Sequence, residues 1–109
     1  MKKIVVINGP NLNMIGKREP ELYGSTTLED INEMIRVRAE ELGVEVDFFQ
    51  SNVEGEMVGR IHECLGIADG IIMNAGAYGH YSYALLDALN AVGVPCIEVH
   101  ISKTQKREA

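Results

Sequence analysis

The sequence predicts an α/β fold in which helices cover both faces of one parallel sheet, giving three layers. Short apolar runs rich in β-branched residues, beginning with Ile4–Ile7, alternate along the 109 residues with segments whose apolar residues have helical spacing. No internal repeat or linker-like stretch interrupts this alternation. The resulting β-α-β-α-β-α-β order predicts parallel strands joined by right-handed crossovers, so we expect one domain over residues 1–109.

The first strand is predicted at Ile4–Ile7, and its continuous apolar character is typical of a central strand that is covered on both faces. The run ends at Asn8-Gly9 and opens into a long polar loop that reaches Tyr23. Ligands of open parallel sheets bind beyond the carboxyl ends of the strands. This loop is therefore the first place where we expect a functional site.

The next two elements are a helix and an edge strand. Thr26 and Glu29 form a candidate capping box, and Gly43 is predicted to end the helix. The core face of this helix is predicted to comprise Leu28, Ile31, Ile35, Ala39 and Leu42, with Met34 also in the core. Residues 44–50 alternate apolar with mostly acidic or polar residues, which indicates a half-exposed edge strand.

The rest of the chain repeats the alternation. A second helix is predicted to place Met57, Ile61, Cys64, Leu65 and Ala68 on its core face, with His62 in solvent. A strand at residues 71–73, a polar loop at 74–82, a helix at 83–92 and a strand at 96–101 follow. Because the second strand suits an edge, we expect the flavodoxin-like order 2-1-3-4, with strands one and three adjacent at the switch point.

Composition limits the possible partners. The chain has a formal net charge of -6, which disfavours non-specific binding to nucleic acid or to an acidic membrane surface. An anionic substrate would have to be met by local positive groups. Neither Cys64 nor Cys96 has metal-ligand spacing, and both are predicted to be small buried hydrophobes in a reducing compartment. No apolar run approaches membrane length, so we expect a cytoplasmic protein.

Polar residues converge at one edge of the predicted sheet. The loops after strands one and three are rich in Asn, His and Tyr, and His100 lies at the carboxyl end of strand four. Arg18 near Tyr23 would stabilise a phenolate and lower the tyrosine pKa from about 10, which suits a general base. Glu98, on the same face of the strand as His100, could orient its imidazole. We interpret this set as a site for proton transfer on a hydroxylated substrate.

Two other interpretations of the first loop remain open on spacing alone. It could be an ordinary surface loop punctuated by Pro10 and Pro20. A phosphate-binding loop is disfavoured, because Gly9 and Gly16 are too far apart for that motif and Arg18 stands where the motif needs Ser or Thr.

Four segments resemble the type II 3-dehydroquinate dehydratases. They are I-N-G-P-N-L-N-M-I-G-K-R-E-P-E-L-Y-G, F-F-Q-S-N-V-E-G-E, N-A-G-A-Y-G-H-Y-S and I-E-V-H-I-S, and the similarity covers the whole chain. The resemblance implies a lyase of the shikimate pathway or of quinate catabolism. Such an enzyme eliminates water from 3-dehydroquinate with anti stereochemistry, through an enolate, to give 3-dehydroshikimate without a metal or organic cofactor.

The resemblance also implies catalytic roles for five residues. Tyr23 resembles the base that removes the proton beside the ketone, and Arg18 the residue that lowers the tyrosine pKa. His100 resembles the general acid that protonates the leaving hydroxyl, with Glu98 orienting it. Asn11 resembles a residue that places the water supporting the enolate.

Further positions resemble the substrate-binding residues of the family. Asn74 resembles a residue that shares the placement of that water and contacts substrate. His80 and the backbone of Ile101 and Ser102 resemble substrate-binding positions, the latter two meeting the carboxylate. Asp87 matches a residue that reaches the site from a neighbouring subunit, so the resemblance implies a homo-oligomer, which in the family is a dodecamer.

The sequence departs from the family at its C-terminal side. The family's domain continues through a substrate-binding arginine, a fifth strand and a closing helix, so the resemblance implies a domain that is C-terminally short here. A catalytically silent binding or assembly module of the same fold is therefore the alternative to an enzyme. Retention of Tyr23, Arg18 and His100 favours the enzyme.

Overall fold

The computed structural model describes residues 1–17, 25–76 and 82–100. Within these ranges the predicted alternation of strands and helices is confirmed. The elements are β1 (Lys3–Asn8), a short 3₁₀ helix (Leu12–Met14), α1 (Leu28–Leu42), β2 (Glu45–Gln50), α2 (Glu54–Glu63), β3 (Gly70–Asn74), α3 (Tyr83–Val92) and β4 (Cys96–Glu98).

All neighbouring strands of the sheet run parallel, in the order β2-β1-β3-β4. This is the order predicted from the sequence, with the acidic strand β2 at one edge. β1 lies between β2 and β3, so that Ile7 stands opposite both Phe49 and Met73. Within the apolar run of β1, Val5, Val6 and Ile7 are buried, as expected for a central strand, whereas Ile4 is half-buried.

The main hydrophobic core lies between the sheet and the helices α2 and α3. Side chains of alternate strand residues, among them Val5, Ile7 and Ile71, point to this face. The helices contribute Met57, Ile61, Leu85 and Ala88 to the same cluster. The right-handed crossover from β1 to β2 places α1 on the opposite face, where it buries Leu28 and Ala39. With α2 and α3 on one face of the sheet and α1 on the other, the structure has the predicted three layers.

The N-terminus of α1 differs by one residue from the prediction. Thr27, not Thr26, is the N-cap, and its hydroxyl accepts a hydrogen bond of 3.1 Å from the Asp30 amide. The Asp30 carboxylate in turn accepts one of 3.0 Å from the Thr27 amide, so the capping box pairs Thr27 with Asp30 rather than Thr26 with Glu29. Starting the helix at Leu28 lets that side chain turn inward and become buried. Gly43 ends the helix as predicted.

Several predicted core residues are exposed instead. Met34 is 67% exposed. Successive helix residues are about 100° apart, so Met34 points roughly 120° away from the face defined by Leu28 and Ala39. Leu65 is 62% exposed, since α2 ends at Glu63 and Leu65 belongs to the turn that follows. Leu42, in the last turn of α1, is also exposed, whereas His62 lies in solvent as predicted.

The last strand is shorter than the sequence predicts. β4 covers only Cys96–Glu98, so Val99 and His100 do not belong to the strand, and the last residue of the predicted strand, Ile101, lies outside the described residues. The Val99 amide still donates a hydrogen bond of 2.8 Å to the Met73 carbonyl, so the chain keeps its direction beyond the strand. Cys64 is buried as predicted, whereas Cys96 is half-buried because β4 borders the described sheet. None of the described helices is long and apolar enough to cross a membrane.

Candidate functional site

The loops that follow β1 and β3 meet at the carboxyl edge of the sheet. Asn8 and Asn74 are register partners at the ends of these neighbouring strands. One residue further on, the Gly9 amide donates a hydrogen bond of 2.8 Å to the Asn74 carbonyl. The two polar loops that the sequence predicts to converge therefore leave the sheet side by side, at the position where parallel sheets bind their ligands.

Glycine permits this close approach on both sides. A β-carbon on Gly9 would lie 2.5 Å from the Ala75 carbonyl oxygen, a distance that no side chain can tolerate. Gly76 has φ of +62°, and a β-carbon there would lie 3.0 Å from the Pro10 carbonyl oxygen. The two loops thus contact each other backbone to backbone, which fixes their relative position.

Asn74 places a buried amide at this junction. The residue is 3% exposed, and its Oδ1 accepts a hydrogen bond of 3.2 Å from the Gly76 amide. Its Nδ2 is buried and has no hydrogen-bond partner among the described residues. A buried donor without a partner costs about 1–3 kcal/mol, so a ligand oxygen or a water that accepts from Nδ2 would be bound favourably.

Asn11 lies in the β1 loop, directly before the 3₁₀ helix. It is the only non-glycine residue in the described part of the chain with a positive φ, which is 69°. Its amide donates a hydrogen bond of 2.8 Å to Oδ1 of Asn52. The Asn11 residue is exposed, so it can contact a bound molecule at this edge of the sheet.

Two residues at the end of β2 also belong to this edge, and the sequence analysis assigned them no role. Gln50 Nε2 donates to the Gly9 carbonyl at 3.1 Å and lies 3.3 Å from Oδ1 of Asn52. Asn52 accepts from the Asn11 amide. Gln50 is the last residue of β2, and Asn52 follows the strand by two residues. The rule that ligands bind at the carboxyl ends of parallel strands, applied to strand two as it was to strands one and three, would have identified them.

A second contact missed by sequence reasoning joins the helices that begin at this edge. The Ser82 hydroxyl donates to a carboxylate oxygen of Glu54 and accepts a hydrogen bond of 3.1 Å from the Leu85 amide. Ser82 is thus the N-cap of α3 and is held by the first residue of α2. The signal available in the sequence was a serine three residues before Leu85, at the predicted helix start.

Two predicted site residues lie at the end of β4. Glu98 is the last residue of the strand, opposite Met73, and is exposed. His100 follows two residues later and is also exposed. Asn74 comes directly after Met73 on the neighbouring strand, so the structure brings Asn11, Asn74, Glu98 and His100 to the same edge of the sheet. The orientation of His100 by Glu98 stays a prediction.

Asp87, the remaining predicted site residue in the described ranges, does not lie with this group. Asp87 is exposed on α3, on a helix and not at a strand end. Five residues lie outside the described ranges, namely Arg18, Tyr23, His80, Ile101 and Ser102.

The two thiols near the sheet are not activated. Burial raises the pKa of the Cys64 thiol above its usual value. Burial, followed by the negative charge of Glu98, raises the pKa of Cys96. Both are therefore protonated at neutral pH and unsuited to act as nucleophiles. In residues 1–17, 25–76 and 82–100, no three His, Cys, Asp or Glu side chains are grouped as potential metal ligands.

Comparisons with known proteins agree on one family. The family model Dehydroquinase class II matches residues 2–109. The chain is 54% identical to a 3-dehydroquinate dehydratase of Campylobacter lari, over 97% of this chain and 66% of the relative. It is 56% identical to a 3-dehydroquinate dehydratase of Caldicellulosiruptor bescii, over 99% of this chain and 75% of the relative.

Solved structures give the same result. The chain superposes on a type II dehydroquinase from Butyrivibrio crossotus with a TM-score of 0.88 and 46% identity, over 97% of this chain and 74% of that one. The chain spans about two thirds of the length of the first curated relatives, from 65% to 68%. The predicted flavodoxin-like arrangement is confirmed by this superposition.

Proposed function

Because the chain belongs to the class II dehydroquinase family, we propose that it dehydrates 3-dehydroquinate to 3-dehydroshikimate. The observation that carries this proposal is the 54% to 57% identity, along nearly all of the chain, to relatives named 3-dehydroquinate dehydratase. It is supported by Nδ2 of Asn74, a buried donor between the β1 and β3 loops that has no hydrogen-bond partner among the described residues. The reaction places the protein in the shikimate pathway or in quinate catabolism.

The proposed reaction is an anti elimination through an enolate. Tyr23, as phenolate, removes a proton from the methylene beside the ketone, and the electron pair of the C–H bond forms the enolate. The enolate then collapses, the C–O bond to the departing hydroxyl breaks, and His100 supplies the proton with which that hydroxyl leaves as water. Arg18 keeps the tyrosine pKa low, and Glu98 orients His100.

Asn11 and Asn74 are proposed to stabilise the enolate. Negative charge develops on the ketone oxygen only as the proton leaves, so donors aimed at that oxygen lower the barrier more than they strengthen binding. Nδ2 of Asn74 is buried and has no described partner, so it can donate to a water bound at the enolate. Asn11 follows Gly9 by two residues, on the loop that contacts the Asn74 segment.

The substrate carboxylate is proposed to bind through His80 and the backbone of Ile101 and Ser102. An acidic chain of net charge -6 repels an anion at long range, so these contacts must act locally together with Arg18. Asp87 is proposed to reach the site of a neighbouring subunit in a homo-oligomer, a dodecamer by resemblance to the family. Its exposure on α3, beside the exposed apolar Leu86, is compatible with such a contact.

A cytoplasmic location is proposed from the cysteines. Cys64 and Cys96 are both free thiols, which is typical of a reducing compartment.

The test is the ultraviolet absorbance of the conjugated enone after the purified protein is mixed with 3-dehydroquinate. We expect the absorbance to rise with the wild-type protein and to stay flat with Tyr23→Phe, which lacks the base but keeps the ring. Absence of turnover in a folded wild-type protein would favour the silent-module alternative. Equal turnover by Tyr23→Phe would overturn the assigned base.

A further inference from the structure

Asn11 has a backbone conformation that few residues adopt. Its φ of 69° lies in the left-handed region, where an L-residue other than glycine is disfavoured by roughly 1–2 kcal/mol, although asparagine tolerates this region better than most. Residues with such strain persist only where their surroundings fix them, and they cluster at functional sites. The contacts of Asn11 therefore determine whether its side chain is held in a single position.

The Asn52 side chain provides the fixing contact. Its Oδ1 accepts a hydrogen bond of 2.8 Å from the Asn11 amide, across 41 residues of sequence. Gln50 Nε2 lies 3.3 Å from the same oxygen and also donates to the Gly9 carbonyl. The Asn11 amide and Gln50 Nε2 are both donors, so the side-chain oxygen of Asn52, and not its NH₂ group, must face them. This sets the orientation of the Asn52 amide group.

Asn52 is itself held by its neighbours on the chain. The Ser51 amide donates a hydrogen bond of 3.0 Å to the Asn8 carbonyl, extending the β1–β2 pairing past the strand end. The Val53 amide donates one of 2.9 Å to the Ser51 hydroxyl, which is buried. The backbone on both sides of Asn52 is thus anchored, so its acceptor oxygen is already in position before any ligand binds.

We propose that Asn52 is a positioning residue that holds Asn11 in its left-handed conformation. It thereby places the Asn11 side chain at the carboxyl edge of the sheet, where the proposed reaction takes place. The kinetic part of this inference rests on the proposed dehydratase function, in which Asn11 supports the enolate. The structural part, that Asn52 restrains Asn11, is independent of any activity.

The structural part is tested by hydrogen exchange of the Asn11 amide, followed by ¹⁵N NMR in the wild-type protein, Asn52→Leu and Asn52→Asp. Leucine has a similar size but offers no acceptor, whereas aspartate keeps an oxygen at the same place. We expect the Asn11 amide to exchange about five to ten times faster in Asn52→Leu, as for loss of one hydrogen bond, and to stay protected in Asn52→Asp. Unchanged exchange in Asn52→Leu would overturn the proposal.

The kinetic part uses the same variants with 3-dehydroquinate. Since the enolate forms only after binding, we expect Asn52→Leu to lower kcat by about tenfold to a hundredfold with KM changed by less than about twofold, and Asn52→Asp to restore most of kcat. A rise in KM with unchanged kcat, or no rescue by Asn52→Asp, would refute a positioning role. Asn90→Leu, an exposed residue on α3, is the matched control.

Failures of the two proposals are distinguishable. If the wild-type protein does not turn over 3-dehydroquinate, the proposed function is wrong, and the exchange rates of Asn11 still decide whether Asn52 restrains it. Exchange of the buried β1 amides, such as that of Ile7, verifies that each variant is folded. Should Asn52→Leu fail this criterion, Asn52→Ala removes the same acceptor without adding bulk to an exposed position.

Discussion

Gly9 lies against the backbone of Ala75, so that a β-carbon on Gly9 would stand 2.5 Å from the Ala75 carbonyl oxygen. The contact joins the two loops of the candidate site and involves no flexible side chain that could move aside. The packing at this point therefore depends on the absence of one side chain.

Gly9→Ala is expected to separate these loops. The added methyl group must push one backbone away, which we expect to lower the free energy of unfolding by roughly 1–3 kcal/mol and to reduce turnover. Gly59→Ala on α2 is the control, because a β-carbon there meets no atom within 4 Å, and it should stabilise the protein by about 0.5–1 kcal/mol. Urea unfolding of both variants measures the difference. Equal effects of the two substitutions would show that the loops are not in close contact.

The Nδ2 donor of Asn74, which has no hydrogen-bond partner in the described part of the chain, can be removed selectively. Asn74→Asp keeps an oxygen for the Gly76 amide but replaces the Nδ2 donor with a second acceptor. We expect kcat/KM for 3-dehydroquinate to fall by roughly tenfold to a hundredfold, corresponding to the loss of one buried donor at the site. Steady-state kinetics measure this, with circular dichroism as a check on folding. Wild-type kinetics in Asn74→Asp would exclude a role of Nδ2.

The Ser82–Glu54 pair predicts coupled stability changes. Ser82→Ala removes the N-cap of α3 and should lower the free energy of unfolding by about 0.5–2 kcal/mol. Glu54→Gln retains an oxygen that can accept from the Ser82 hydroxyl, so we expect a smaller loss. In the double variant the Glu54→Gln effect should disappear, because its partner is gone. Strict additivity of the two changes, measured by urea unfolding, would argue against the contact.

Thiol labelling tests the electrostatic environment at the end of β4. The pKa of Cys96 is raised first by burial and then by the charge of Glu98, and a raised pKa means less thiolate at a given pH. Alkylation of Cys96 by iodoacetamide at pH 8 should therefore be slower than that of an unfolded cysteine peptide, and faster in Glu98→Gln. Cys64, which is buried, should react only after denaturation. Peptide mass mapping separates the two sites, and rapid labelling of Cys96 at pH 8 would contradict the raised pKa.

Much of the fold could be predicted because hydrophobic patterning reports burial directly. The continuous apolar run of β1 and the acidic alternation of β2 distinguished a central strand from an edge strand, and these two facts determined the strand order. The bounds predicted for the helix at residues 83–92 agree with the observed Tyr83–Val92, because its apolar residues have helical spacing. The start of a helix was harder to locate where two adjacent residues could each act as the N-cap, as Thr26 and Thr27 could at the start of α1.

The contacts around the site were harder to predict for a physical reason. Glu54 and Ser82 are 28 residues apart, and Asn11 and Asn52 are 41 apart, so no local period relates them. Their pairing depends on strand register and on the side-chain torsion angles that the folded sheet imposes. The sequence could identify which strand ends meet, but not which amide accepts from which backbone group at that edge.

The most direct measurement of the proposed activity is the reaction of the wild-type protein with 3-dehydroquinate that carries one deuterium on the methylene beside the ketone. With the deuterium placed anti to the departing hydroxyl, an anti elimination predicts an enone product that has lost the label, as read by NMR and mass spectrometry. With the deuterium placed on the syn side, the product should keep it. Formation of no enone, or retention of the anti deuterium, would contradict the proposed mechanism.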